Sequence, residues 1–273
     1  MVDARPEQDP EFAEKVKFDV PHSARIWNYW QGGKDNYEVD RRVGDAVAEA
    51  FPDIVRQAQQ ARMLLIRVVR YLAGEAGIRQ FLDIGTGLPS MQNTHEVAQA
   101  VAPEAKVVYV DNDPLVLTHA RALLTNTTFE GVTAYIDANL DDPELIIADA
   151  HNVLNFREPI AVIFFGILGH IAEFDRARSI VARIMDAVPS GSYLAIEDST
   201  DTGEGVREAA RLYAEGGTIP YHLRSPDQLA QCFTGLELVD PGLVQVTQWR
   251  PNRADIAGTV EPIDMYGGVA RKP

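Results

Sequence analysis

"FLDIGTGLPSMQNTHEVAQAV", residues 81–101, decides how the rest of the chain is read. An apolar run from Phe81 to Ile84 breaks at Gly85 and Gly87 and gives way to a segment with helical character. Strand, glycine turn and helix in that order is the opening of a parallel α/β unit, and ligands in such units sit at the turn. Three ligand classes use this arrangement. A phosphate-binding loop needs Gly-Lys-Ser/Thr at its end, and no such lysine follows Gly85 or Gly87. A dinucleotide fingerprint needs a third glycine, where this chain has Ser90, and Pro89 occupies the place at which the helix would begin to receive pyrophosphate.

Asp83 is the more telling residue. A carboxylate two positions before the first glycine repels pyrophosphate but suits a ligand with a cationic amino group. S-adenosylmethionine has such a group. It also has ribose hydroxyls, and "VVYVDNDP" places Asp111, with Asn112 beside it, at the end of the second strand, where a carboxylate accepts hydrogen bonds from them. "YIDANLDD" offers Asp137, Ala138 and Asn139 to the adenine edge after the third strand, although Asp137 and Asn139 also suit an Asx turn.

Outward from this turn the pattern is regular. Short apolar runs at Gln80–Ile84, Lys106–Val110, Val132–Ile136, Ile160–Phe165 and Tyr193–Glu197 alternate with helical segments, as a parallel sheet with right-handed crossovers requires. "IAVIFF" is apolar throughout, as a strand covered on both faces must be. Asp113-Pro114, Asp142-Pro143 and Ser225-Pro226 with Gln228 mark helix starts. "LELVDPGLVQVTQW" reads as one strand bent at Pro241-Gly242 or two strands joined there, and "MYGGVARKP" as a last strand, which implies an antiparallel edge. Residues 1–20 read as a loose arm, 21–75 as a helical lid with apolar positions at Val43, Val47, Phe51, Met63, Leu64, Val68 and Leu72, and 76–273 as the cofactor-binding domain.

With 273 residues and 46% hydrophobic content the chain can bury a full core. Its net charge of −15 argues against a nucleic-acid partner, whose phosphates demand Lys and Arg. The single Cys232 excludes a disulfide framework and a multi-cysteine metal site, and no metal is expected. The polar start and the lack of a membrane-length apolar run point to a cytoplasmic protein with no membrane partner, and a homodimer is left open.

"ARIWNYWQGGKDNYEVDR", "DIGTGLPSMQNTHEVAQ", "VVYVDNDPLVLTHARALL" and "GGVARKP" together resemble class I S-adenosylmethionine-dependent methyltransferases. More narrowly they are similar to an actinobacterial methyltransferase family formerly known only as a domain of unknown function, over nearly the whole chain after Pro21. The resemblance implies a Rossmann-like α/β fold with a mostly parallel seven-stranded sheet, an antiparallel last strand and an N-terminal helical lid. It also implies S-adenosylmethionine as cofactor and S-adenosylhomocysteine as product. Two positions depart from that family: Asn139 stands where it has Asp, and Gly169 where it has His at or nearby.

The expected cofactor residues are Asp83, Gly85, Thr86, Gly87, Asp111, Asn112, Asp137, Ala138, Asn139, Phe165 and Gly166, joined by Tyr29, Gly33, Lys34 and Asn36 from the lid. In "IWNYWQGGKDNY" the two tryptophans at i,i+3 read as core packing, whereas the glycine-jointed polar loop reads as a lid, with Lys34 or Arg25 available to the cofactor carboxylate. Candidate catalytic residues are His170, Tyr37 and Asp198. Phe164-Phe165-Gly166-Ile167 is not the Asn/Asp-Pro-Pro-aromatic element that grips a planar nitrogen, so a small-molecule acceptor is expected. A binder without turnover and a nicotinamide-dependent oxidoreductase are the competing readings, the latter opposed by Asp83 and Pro89.

Overall fold

The computed structural model describes residues 17–89, 92–123, 126–251 and 261–273, without the side chains of 119–123. Residues 1–16 of the expected arm, and Ser90 at the third-glycine position, lie outside the described residues. Five parallel strands form first: β1 (Gln80–Ile84), β2 (Lys106–Asp111), β3 (Val132–Asp137), β4 (Ala161–Phe165) and β5 (Tyr193–Ser199). Two short strands, β6 (Glu237–Leu238) and β7 (Val244–Gln245), both pair antiparallel with β8 (Met265–Arg271), which in turn pairs antiparallel with β5. The order across the sheet is β3-β2-β1-β4-β5-β8-β6. Chain direction of travel reverses between β1 and β4, and that switch point opens a crevice beyond the carboxyl ends of the strands.

The stretch expected as one bent strand or two is two, each of two residues, which makes the sheet eight-stranded rather than seven. Pro241 has no N–H to give to a ladder and Gly242 has φ +91°, so pairing with β8 stops on one side of them and resumes on the other. The helix after the glycine turn, α4 (Thr94–Val101), starts later than Pro89, because Asn93 and Glu96 form its capping box, with Asn93 N–H donating to Glu96 at 2.7 Å.

Strand alternation divides the core. Phe81, Val107, Tyr109, Ile163 and Ala195 pack with Leu64, Val68 and Leu72 of α3 (Asp53–Gly74). Leu82, Val108, Val162 and Leu194 face the other way, onto Ile146 of α6 (Pro143–Ala150) and Ile180 and Ile184 of α7 (Phe174–Ala187). Between these elements α5 (Pro114–Leu123) follows β2, its start set by Asp113, whose Oδ1 accepts from Leu115 N–H at 2.8 Å.

A third cluster positions the site. Ile26 and Trp30 of α1 (Ser23–Trp30), Val43 and Val47 of α2 (Glu38–Ala50), Ile54 and Ala58 of α3, and Ala209 and Tyr213 of α8 (Glu204–Glu215) bury one another. The N-terminal helices are thereby fastened to α8, and together these helices roof the crevice at the carboxyl ends of the strands. The last helix, α9 (Pro226–Gln231), is capped by Ser225 and Gln228 as its sequence requires.

Candidate functional site

A cavity of about 390 Å³ lies at the switch point. Asp83, Gly85, Thr86, Gly87, Asp111, Asn112, Ala138, Asn139, Phe165, Gly166 and His170 all line it, so the residues read from the strand ends converge on one space. Asp137 does not: it is exposed at the end of β3. Asn139 lines the cavity and forms the Asx turn as well, its Oδ1 accepting from Asp141 N–H at 3.0 Å.

The glycine turn is built for close approach. Gly85 has φ +77° and a Cβ there would come within 2.5 Å of Ile167. Gly87 has φ +65° with open space where a Cβ would project. Asp111 holds the turn from the next strand: its Oδ2 accepts from Gly87 N–H at 2.8 Å and its Oδ1 from Asp113 N–H at 2.9 Å. Each carboxylate oxygen has further lone-pair capacity beyond that one bond. Burial raises the Asp111 pKa, against the lowering effect of those two N–H groups. Asp83 is buried on β1 with Thr94 Oγ1 donating to its Oδ2 at 2.6 Å, and burial pushes its carboxyl up to about 6.

Two charged residues went unread in the sequence. Arg62 of α3, half-buried, lines the cavity, its Nε has no hydrogen-bond partner among the described residues, and Asp83 acts on it electrostatically while desolvation lowers its pKa. Its signal was a charge set among Ala58, Ala61 and Leu65 on the core-facing stripe of a helix. Glu197 of β5 also lines the cavity, 1% exposed, and burial holds its carboxyl well above the usual range. In the strand Glu197 shares the face of Tyr193 and Ala195, whereas Asp198 points to the opposite face.

Asp198, a catalytic candidate, is accordingly outside the cavity lining. It accepts a hydrogen bond from the Tyr221 hydroxyl, and burial pushes it up to about 6. His170 is in the lining, with its ring edge against Tyr221 at 5.1 Å between centroids. Burial pulls His170 down to about 4, so its imidazole is neutral near pH 7, and its Nδ1 has no partner among the described residues. A Cβ on Gly169 would overlap the Tyr221 ring; the glycine admits the tyrosine.

The polar loop of the lid is placed differently from expectation. Tyr29, Gly33, Lys34, Asn36 and Tyr37 do not line the cavity. Tyr29 donates to Asp45 at 2.6 Å, Lys34 is exposed, and Tyr37 packs edge-on against Phe18. Asn36 is buried, its Nδ2 donating to Asn28 Oδ1 and to the Gly33 carbonyl, each at 3.0 Å. Asn28 Oδ1 also accepts from Asp35 N–H at 3.1 Å, so the loop folds around one carboxamide. Arg25 is buried beside Asp40, Nε to Oδ1 3.3 Å, and is likewise absent from the lining. Trp30 is core, its Nε1 donating to the Gly44 carbonyl at 3.1 Å; both it and Trp27 also line the cavity.

A Cβ at Gly33 would overlap the Asn28 carboxamide that organises the loop. Gly33→Ala is expected to cost about 1 kcal/mol of apo stability, and Lys34→Ala less than about 0.5 kcal/mol, in denaturant unfolding.

The residues present fit an adenosyl amino-acid cofactor: carboxylates at Asp83 and Asp111 for an amino group and ribose hydroxyls, a half-buried cation at Arg62 for a carboxylate, and glycines where side chains would obstruct. A sheet of this order with two carboxylates at its switch point defines a nucleoside-cofactor-binding α/β protein. A family profile described as S-adenosyl methyltransferase matches residues 9–273. The chain is 45% identical to a DUF574 family protein from Streptomyces avermitilis, over 94% of this chain and 100% of that one, with a TM-score of 0.89. It is 39% identical to a protein from Thermobifida fusca over 94% of this chain and 97% of that one, with a TM-score of 0.84. The plantazolicin methyltransferase BpumL, solved with S-adenosylhomocysteine, shares the fold at 12% identity and a TM-score of 0.53, over 92% of this chain and 95% of that one. No curated protein matches the chain in sequence. The chain belongs to the S-adenosyl methyltransferase family. Its cofactor is S-adenosylmethionine. Among the described residues no helix is long and apolar enough to cross a membrane.

Proposed function

We propose that the protein is a cytoplasmic enzyme that methylates a small, largely apolar molecule. The cofactor supplies an electrophilic methyl group on a sulfonium. Asp111 holds the ribose hydroxyls, Asp83 the amino group and Arg62 the carboxylate, with Gly85, Thr86 and Gly87 as the backbone cradle and Ala138 and Asn139 at the adenine. Asn112, Phe165 and Gly166 complete that half of the cavity. The observation that carries this reading is the pair of carboxylates at the ends of adjacent strands, Asp83 buried and Asp111 half-buried, facing one cavity with the half-buried Arg62.

The other half is apolar: Trp27, Trp30, Val206, Ala209, Tyr213 and Leu223 line it. An acceptor held there needs mainly to be positioned, since alignment and desolvation supply much of the rate in a displacement at carbon. His170, neutral and with no partner for its Nδ1 among the described residues, is a base available in the cavity to an acceptor that must lose a proton. A nucleic-acid acceptor is disfavoured by the net charge of −15.

The test is ligand-induced stabilisation followed by calorimetry with S-adenosylmethionine, S-adenosylhomocysteine, NAD and NADP. The two adenosyl sulfur compounds are expected to raise the melting temperature and the nicotinamides to leave it unchanged. Stabilisation by NAD or NADP, or by none of the four, would sink the reading.

A further inference from the structure

We propose that the acceptor is an aryl-alkyl amine whose ammonium group docks on Glu197 while its ring lies among Trp27, Tyr213 and Tyr221. This rests on the methyltransferase reading above and names the class of substrate for the same cavity.

Glu197 is 1% exposed, its side chain lines the cavity, and its Oε1 has no hydrogen-bond partner among the described residues. Leaving a buried carboxyl unpartnered is costly unless a ligand supplies the missing donor. The charge that acts on it is another anion, Asp198, from the next position of the strand. Arg62, the half-buried cation in the cavity wall, interacts instead with Asp83. A cationic donor is therefore the partner this carboxyl suits, and an acidic acceptor would be repelled. The surrounding walls agree: Trp27, Trp30, Tyr213 and Tyr221 present aromatic rings, which attract an ammonium group by their faces and bury an aryl ring by area.

For an amine acceptor the same placement gives the proton Glu197 as its destination, in place of His170. Glu197 releases its own proton to solvent as the ammonium group docks, and the resulting carboxylate then takes one N–H proton from it. The freed nitrogen lone pair forms the N–C bond to the methyl carbon as the C–S bond breaks, leaving that electron pair on sulfur, and the product departs as a secondary ammonium. A carboxyl raised by burial is a better match to an ammonium donor than a solvated one.

The experiment is calorimetry on the full chain saturated with S-adenosylhomocysteine, titrated with phenethylamine and tryptamine against the matched alcohols, phenethyl alcohol and tryptophol. The amines are expected to bind at least about tenfold more tightly than the alcohols, and Glu197→Gln to bind S-adenosylhomocysteine as the wild type does while losing that preference. Equal binding of amine and alcohol, or binding of neither, by the cofactor-saturated wild type overturns the proposal. So does weakened S-adenosylhomocysteine binding in Glu197→Gln, which would assign the carboxyl to the cofactor. If Glu197→Gln fails to fold, the wild-type amine-to-alcohol ratio still decides. Failure of S-adenosylhomocysteine to bind the wild type, read before any amine is added, overturns the methyltransferase reading itself.

Discussion

Asp111→Ala is expected to weaken S-adenosylhomocysteine binding by about 1.5 to 3 kcal/mol, the range for hydrogen bonds to a charged acceptor. On the proposed assignment the carboxylate has two duties. It accepts from Gly87 and Asp113 N–H groups, and so fixes the turn, and it keeps lone pairs for the ribose hydroxyls. Asp111→Asn retains an acceptor for one of the backbone donors but loses the charge, and is expected to fall between wild type and alanine. Calorimetry at one pH and salt concentration ranks the three. Unchanged affinity in Asp111→Ala would remove the ribose assignment.

Asp83→Asn is expected to cost about 2 kcal/mol of S-adenosylhomocysteine binding near neutral pH, through loss of the charge-assisted contact to the amino group. The wild type is also expected to bind about tenfold more weakly at about pH 5 than at about pH 7.5. Without ligand the Asp83 carboxyl sits at about 6, raised by burial and by Asp111, and lowered by Thr94 and Arg62. A cationic amino group favours the ionised form, so binding expels a proton wherever Asp83 is still protonated, and affinity falls as pH drops through 6. The apo fold responds with the opposite sign. A carboxyl whose folded pKa lies above its unfolded value of 3.8 removes stability as pH rises from there to about 6. Asp111 and Glu197, also raised, add to the wild-type slope, and the share that Asp83→Asn abolishes is the part owed to Asp83.

How much of this was legible depended on how local each signal is. β1 to β5 were readable to within about two residues at either end because uninterrupted apolar runs such as "AVIFF" have one use in a protein of this composition. That Asp83, Gly85, Gly87 and Asp111 meet in one cavity was readable because they sit at fixed offsets from strand ends. The lid loop was not. Glycines beside Lys34 and Asn36 carry the composition of a mobile flap, and nothing in their spacing discloses that Asn28, a helix turn earlier, would fold its carboxamide into them. Arg25 was misplaced for the same reason: its partner Asp40 lies on the next helix. Glu197 was missed through phase rather than distance. β5 runs on to Ser199, and counting alternate positions from Tyr193 would have put Glu197, not Asp198, on the face of Asp83.

The cavity is assembled from two kinds of part. Around the glycine turn its wall hangs from strand ends and is braced by backbone hydrogen bonds, such as those from Gly85 to Val110 and from Gly166 to Glu197. Elsewhere Trp27 of the first helix and Val206 and Ala209 of α8 supply side chains to its surface. Reshaping those three side chains therefore leaves the strand-end hydrogen bonds intact. On the proposed assignment, a few changes in two helices would retailor the protein from one amine to another, with Glu197 and the methyl donor's seat as the constant parts.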